Sequence, residues 1–207
     1  SDVLTAHAGA YNDNIYGNDG NDIISTGLGK DTVDGGAGTD TLVMNWGAAS
    51  GNIIHRYTSN GWYRYSDKAG DRVDYYGIER FDLTGGAGND WLGGGVDKDT
   101  LRGGLGNDTL NSGEGRATID GGEGNDLWEA NLGALNYPVI VDAADSQTNS
   151  QMAARSFDLR NIERVGLTLG AGDDSISTQG FSLDDWVTGA AGDDTVNLGT
   201  GHDTFNA

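Results

Sequence analysis

GGAGNDWLG (85–93), GGVDKDTLR (94–102), GGLGNDTLN (103–111), SGEGRATID (112–120) and GGEGNDLWE (121–129) follow one another without a gap. Self-similarity at a fixed short period is the signature of a stacked, repetitive architecture. The same frame extends upstream as AGAYNDNIY, GNDGNDIIS, TGLGKDTVD and GGAGTDTLV over 8–43. Downstream it returns as LGAGDDSIS from Leu169, slips by two residues at Thr178 and Gln179, and continues as GFSLDDWVT, GAAGDDTVN and LGTGHDTFN to residue 206. Of thirteen units, twelve carry aspartate in column six, the exception being Ala117, and all thirteen are apolar in column eight. Columns two and four are glycine in ten units each, against a usual glycine share of about 7%.

Columns seven to nine have room only for a short strand, whose side chains alternate between faces. The column-eight residue (Ile24, Val33, Leu42, Leu92, Leu101, Leu110 and their counterparts) points inward, with mostly Thr, Ser, Asp or Asn beside it. One nonapeptide cannot bury its single apolar side chain, so the units must stack. Columns one to six must turn the chain tightly, and glycine reaches positive φ without steric cost. Such turns aim carbonyl oxygens at one spot, beside one aspartate per loop. That is the oxygen donor set that calcium, with six to eight ligands at about 2.3–2.6 Å, requires.

These columns follow GGxGxDxUx and resemble the RTX (hemolysin-type calcium-binding) repeats of type I secreted bacterial proteins. The resemblance spans thirteen nonapeptides, more than half of the chain. It implies an all-β, right-handed parallel β-roll with two nonapeptides per coil and each Ca2+ held between loops n and n+2 on one edge. Pairing within blocks of four, five and four units gives roughly seven ions. The expected ligands are the carboxylates of Asp13, Asp22, Asp31, Asp40, Asp90, Asp99, Asp108, Asp126, Asp174, Asp185, Asp194 and Asp203. Carbonyls are expected from Gly17, Gly20, Gly27, Gly29, Gly36, Gly38, Gly86, Gly88, Gly104, Gly106, Gly122, Gly124, Gly170, Gly172, Gly192, Gly199 and Gly201. The resemblance further implies a secreted or cell-surface module that folds on meeting extracellular calcium.

Charge agrees. The net formal charge is −20, from 32 acidic and 12 basic residues. A chain so acidic repels nucleic acid and anionic membranes. With 36% hydrophobic residues it reads as disordered unless the charge has a dedicated counterion. The segments outside the repeats, 44–84 and 130–168, are close to neutral, so the excess sits in the repeats. Cysteine is absent, excluding disulfide and thiolate-metal frameworks. No apolar run approaches the roughly 18 residues of a membrane span. The chain starts at Ser1 without methionine and stops one residue past a repeat, which reads as a single roll domain, 1–207, cut from a larger protein.

Several loops depart from the pattern. With Ala117 in the ligand column, the site shared with the loop from Gly94 is expected to be weak, and Asp97 replaces a glycine in that same loop. Phe181 and Leu183 make Asp185 a doubtful ligand, and Tyr11 weakens the first loop. The two interruptions end alike, as IERFDLTGGAGND from Ile78 and IERVGLTLGAGDD from Ile162. In phase, Leu83 and Leu167 take column eight while Phe81 and Val165 replace the aspartate, so both read as metal-free coils that restart a continuous stack. The interruptions themselves are expected to loop out or pack on its face.

The first interruption contains a hairpin signal around Asn60-Gly61, suited to a type I′ turn. It gathers Trp46, His55, Arg56, Tyr57, Trp62, Tyr63, Arg64, Tyr65, Tyr75 and Tyr76. These suit a surface for glycan or a neighbouring protein, or a cover with its rings turned inward, the favoured reading. The second, with Tyr137, Pro138 and a polar stretch from Asp145, suggests no chemistry. His7, His55 and His202 belong to no zinc or triad motif. Asp173-Asp174, Asp184-Asp185 and Asp193-Asp194 are explained by repeat phase as a ligand and its exposed neighbour, so no enzyme is expected.

Overall fold

The computed structural model describes residues 1–7, 9–142, 149–151 and 156–207. Ala8, which opens the first repeat, and Asp145–Thr148 of the polar stretch lie outside the described residues. The strands are β1 (Val3–Thr5), β2 (Asn14–Tyr16), β3 (Ile23–Thr26), β4 (Lys30–Asp34), β5 (Thr41–Asn45), β6 (Ile54–Ser59), β7 (Trp62–Ser66), β8 (Arg72–Tyr76), β9 (Arg80–Thr84), β10 (Trp91–Gly93) and β11 (Asp99–Leu105). They continue as β12 (Thr109–Asn111), β13 (Ala117–Glu123), β14 (Leu127–Asn131), β15 (Ile140–Asp142), β16 (Asn149–Gln151), β17 (Ser156–Arg160), β18 (Arg164–Thr168), β19 (Ser175–Ser177), β20 (Trp186–Thr188), β21 (Thr195–Asn197) and β22 (Thr204–Asn206). No helix occurs among the described residues.

Consecutive repeat strands alternate between two faces of a parallel β-roll. Face one runs β1-β3-β5-β9-β11-β13-β17-β16, and β15-β19-β21 continues it. Face two runs β2-β4-β8-β7-β6-β10-β12-β14-β18-β20-β22. The register sets the coil at two nonapeptides, because Ile24 pairs with Leu42, Leu92 with Leu110, Leu110 with Trp128, and Leu101 with Ile119. Column-eight side chains stack between the faces as anticipated. Ile24, Val33, Leu42, Leu92, Leu101, Leu110, Ile119, Trp128, Ile176 and Val187 are all buried. Toward the two ends of the stack the ladder opens: Ile15 and Val196 are half-buried and Phe205 is exposed.

The interruptions neither loop out nor lie on the roll; they enter its sheets. After β5 the chain forms the antiparallel meander β6-β7-β8, inserted edge to edge between β4 and β10 in face two. Asn60 and Gly61 both have positive φ, 54° and 84°, as a type I′ turn demands. The second interruption places β16 antiparallel to β17 and β15 parallel to β19, with β15 against β16. It therefore adds its strands to face one. An unpaired strand edge must be matched or covered, and insertion of the first meander in the sheet plane pairs both of its outer edges, with β4 and β10.

The restarting coils carry a two-residue shift of register. Phe81 pairs with Leu42 below, whereas Leu83 pairs with Leu101 above. The second copy repeats this, with Val165 opposite Trp128 and Leu167 opposite Val187. Both apolar residues of each strand are thus buried in one core column. The aromatics of the first interruption divide between the two expected roles. Trp46, Tyr65 and Tyr75 are buried, while Tyr57, Tyr63 and Tyr76 are exposed. His55 lies in a parallel stack with Tyr63, Tyr65, Tyr75 and Trp91, and its Nε2 is 2.7 Å from the Tyr75 hydroxyl.

Candidate metal centre

Two hydrogen-bond ladders of opposite sense run along the corners between the faces. In the first, the column-six carboxylate of one coil accepts the backbone N–H of column six in the coil below. Asp13 N–H donates to Asp31 Oδ1 (3.0 Å), Asp22 to Asp40 (2.8 Å), Asp90 to Asp108 (2.8 Å) and Asp108 to Asp126 (2.8 Å). Asp174 donates likewise to Asp194 (3.1 Å) and Asp185 to Asp203 (3.0 Å). In the second, column five reaches the other way: Asn21 Oδ1 accepts from Thr39, Asn89 from Asn107, Asn107 from Asn125, and Asp173 from Asp193. Column five is therefore structural, although in the sequence it reads only as the ligand's exposed neighbour.

The first ladder occupies one carboxylate oxygen and leaves the other. Asp22, Asp31, Asp40, Asp108, Asp126 and Asp174 are buried, and the Oδ2 of each has no hydrogen-bond partner. An unpaired buried carboxylate oxygen is costly. Burial pushes the Asp108 carboxyl up to about 7 and that of Asp126 to about 6, and also raises that of Asp99, whose oxygens are both bonded, to about 7. For Asp108 the neighbouring Asp90 and Asp126 charges push in the same direction. No three His, Cys, Asp or Glu side chains gather at one point among the described residues, so a cation here needs backbone oxygens as well.

The glycines make those oxygens accessible. A β-carbon added at Gly17 or Gly121 would meet the carboxylate of its own loop and a backbone carbonyl of the next coil on that edge. One added at Gly36, Gly38, Gly104, Gly106, Gly122, Gly124 or Gly192 would meet a column-two or column-four carbonyl of the coil below. Gly20, Gly29 and Gly201 share their positive φ. At Gly86, Gly88, Gly170 and Gly199 the constraint is close approach, to Ala49, Gly51, Leu135 and Phe181 respectively; Gly172 similarly faces Tyr137, and Gly27 faces His7 and Gly9. Bare Cα atoms thus line a cradle of carbonyl and carboxylate oxygen, and this donor set fits calcium.

The remaining acids are engaged differently. Asp90 accepts from Ile53 and Gly86, and Asp99 from Phe81 and Gly95, through both oxygens. Asp185 accepts from Val165 N–H and the Thr178 hydroxyl (both 2.8 Å). Asp13 is taken by His7, through the backbone N–H (3.0 Å) and Nδ1 (2.8 Å), and this hydrogen bonding lowers its pKa. Asp194 and Asp203 are only half-buried. Ala117 is buried opposite Phe157, with no acid at that position.

The restarting coils do contain acids. Glu79 Oε2 accepts the Asp40 N–H (2.9 Å), and Glu163 Oε2 accepts the Asp126 N–H (2.8 Å). These loops are shorter than a full repeat turn, and the longer glutamate side chain spans the gap. Phe81 and Val165 do replace an aspartate, yet each sequence contains its substitute two residues earlier, in the shared Ile-Glu-Arg.

Residues 7–42, 82–101, 93–127 and 168–205 match the family of RTX calcium-binding nonapeptide repeats in four copies. No curated protein matches the chain significantly. The match takes in more than half of the chain, the two-nonapeptide coil matches the register, and the repeats of this family bind Ca2+ and are structural rather than catalytic; the chain belongs to the RTX calcium-binding nonapeptide repeat family.

Proposed function

We propose that the protein is a calcium-dependent folding and structural module acting outside the cell, without catalytic activity of its own. The observation that carries this reading is the row of buried aspartates whose second oxygen is unpaired beside converging carbonyls. Calcium supplies two positive charges and coordination by six to eight oxygens. The chain contributes the Oδ2 atoms of Asp22, Asp31, Asp40, Asp108, Asp126 and Asp174, glycine carbonyls at the cradles, and the Glu79 and Glu163 carboxylates that close two blocks. The remaining column-six aspartates contribute where their protein hydrogen bonds yield. Roughly seven ions would offset about fourteen of the negative charges.

Millimolar extracellular calcium matches the affinity range of extracellular modules, and binding only the folded form stabilises it by mass action. Far-UV circular dichroism tests this. The chain should be coil-like in chelator and become β-rich above a cooperative calcium threshold, with magnesium unable to substitute. An unchanged spectrum in chelator would refute the reading.

A second reading has a specific observation behind it. A cavity of about 700 Å³ lies beside the first interruption, lined by His55, Tyr63, Tyr75, Tyr76, Glu79 and Glu114 among others. Exposed tyrosine beside carboxylate suits a surface glycan or a neighbouring protein. Binding to cell-wall polysaccharide that is lost in Tyr63→Ala and Tyr76→Ala would support it; equal binding by both variants would remove it.

A further inference from the structure

Asp31 and Thr26 occupy a corner unlike the others. Along its edge, the loop above 26–31 is the turn between β7 and β8 rather than a nonapeptide. Gly29 N–H, whose counterpart Gly20 donates to the backbone carbonyl of Ala37, donates here to Asp71 Oδ1 at 2.8 Å. Asp71 is presented by a turn with its own lock, since Asp67 Oδ1 accepts from both Gly70 and Asp71 N–H at 2.9 Å. Asp31 is 1% exposed, and its Oδ1 accepts from Asp13 while its Oδ2 has no partner.

Column one of this loop is threonine. In the loops that begin at Gly17, Gly35, Gly85, Gly94, Gly103, Gly121 and Gly189, a β-carbon at column one would touch the loop's own Oδ2, and by the same register the Thr26 β-carbon is placed on the side of Asp31 Oδ2. The comparison with Thr178 is informative, because that hydroxyl donates to Asp185 Oδ2 at 2.8 Å. Thr26 Oγ1 makes no such bond and is itself buried without a partner. Two buried, unpaired oxygens thus belong to the same loop whose Gly29 N–H is held by a carboxylate from an inserted element.

We propose that the β7–β8 turn completes a divalent-cation site with the loop 26–31, formed by Thr26 Oγ1, Asp31 Oδ2 and the Asp71 carboxylate. The ligand class is a hard, oxygen-preferring cation, calcium under the reading above, on which this inference rests. The site ties the interruption to the first repeat block and adds a hybrid position to those made by paired nonapeptides.

The test is the number of calcium ions retained per chain, measured by native mass spectrometry at saturating calcium. Asp71→Asn keeps an oxygen for Gly29 N–H but removes the charge, and Thr26→Val removes only the hydroxyl. Each variant should hold one ion fewer than wild type, with an unchanged circular dichroism spectrum, while the exposed control Asp82→Asn matches wild type. Wild-type numbers in both variants would overturn the hybrid site alone. A wild-type chain that retains no calcium would overturn the calcium reading itself.

Discussion

At the scale of the residue, the corner aspartates Asp22, Asp31, Asp40, Asp108, Asp126 and Asp174 each have two separate tasks. One oxygen ties its coil to the neighbour through a backbone N–H; the other faces the cradle. Asp108→Asn preserves the first task and impairs the second, so it should raise the calcium concentration at the folding midpoint severalfold while the saturated fold stays the same, as read by a calcium titration followed by circular dichroism. Gly38 has φ 145° and its Cα faces the Gly20 carbonyl. Gly38→Ala should cost about 1–3 kcal/mol, measured by thermal melting in calcium.

The raised carboxyls set the sign of the pH response. Asp99, Asp108 and Asp126 titrate near 7, 7 and 6 in the fold against about 3.9 in an open chain. The fold therefore binds more protons than the open chain between these values, and its stability is lost as pH rises through 6 to 7. In chelator, β-structure should be greater at pH 5 than at pH 8. In calcium the order should reverse, because protons compete for the same oxygens. Greater structure at pH 8 in chelator would contradict the burial argument.

At the scale of the element, the apolar and acidic columns of the nonapeptide were legible in the sequence because period and chemistry repeat together. Column eight gives the ladder Leu92, Leu110, Trp128 and column six the corner acids, as the structure shows. Column five was not legible as a ladder, since Asn, Asp, Thr and Lys all satisfy it through a backbone N–H or a short acceptor. The acid of each restarting coil was also missed. It lies out of phase, and only the shared Ile-Glu-Arg of 78–80 and 162–164 could have revealed it. Glu79→Ala should leave the Asp40 N–H without a partner, at about 1–3 kcal/mol, and weaken the join between the first two blocks; differential scanning calorimetry should show a broadened or divided transition.

At the scale of the whole molecule, continuity of the stack was legible from the repeat phase but the course of the interruptions was not, because a hairpin signal is silent about which edge it will join. The first interruption lengthens face two by two strands and the second adds two to face one. With strands about 4.8 Å apart, each insertion adds about 10 Å to one side. The second thus offsets the first. Removing residues 54–66, which form β6 and β7, should leave the second insertion uncompensated and bend the roll. Small-angle scattering in calcium should then show a change of shape at constant β-content, whereas a profile matching a simply shortened roll would argue against compensation.

The most direct test of the central claim is a crystal structure grown in calcium, with anomalous scattering used to locate the ions. The account predicts calcium at the corners between successive same-edge loops, bonded to the Oδ2 atoms of Asp22, Asp40, Asp108, Asp126 and Asp174 and to neighbouring carbonyls. An intact roll whose corners hold only water, at saturating calcium, would contradict it.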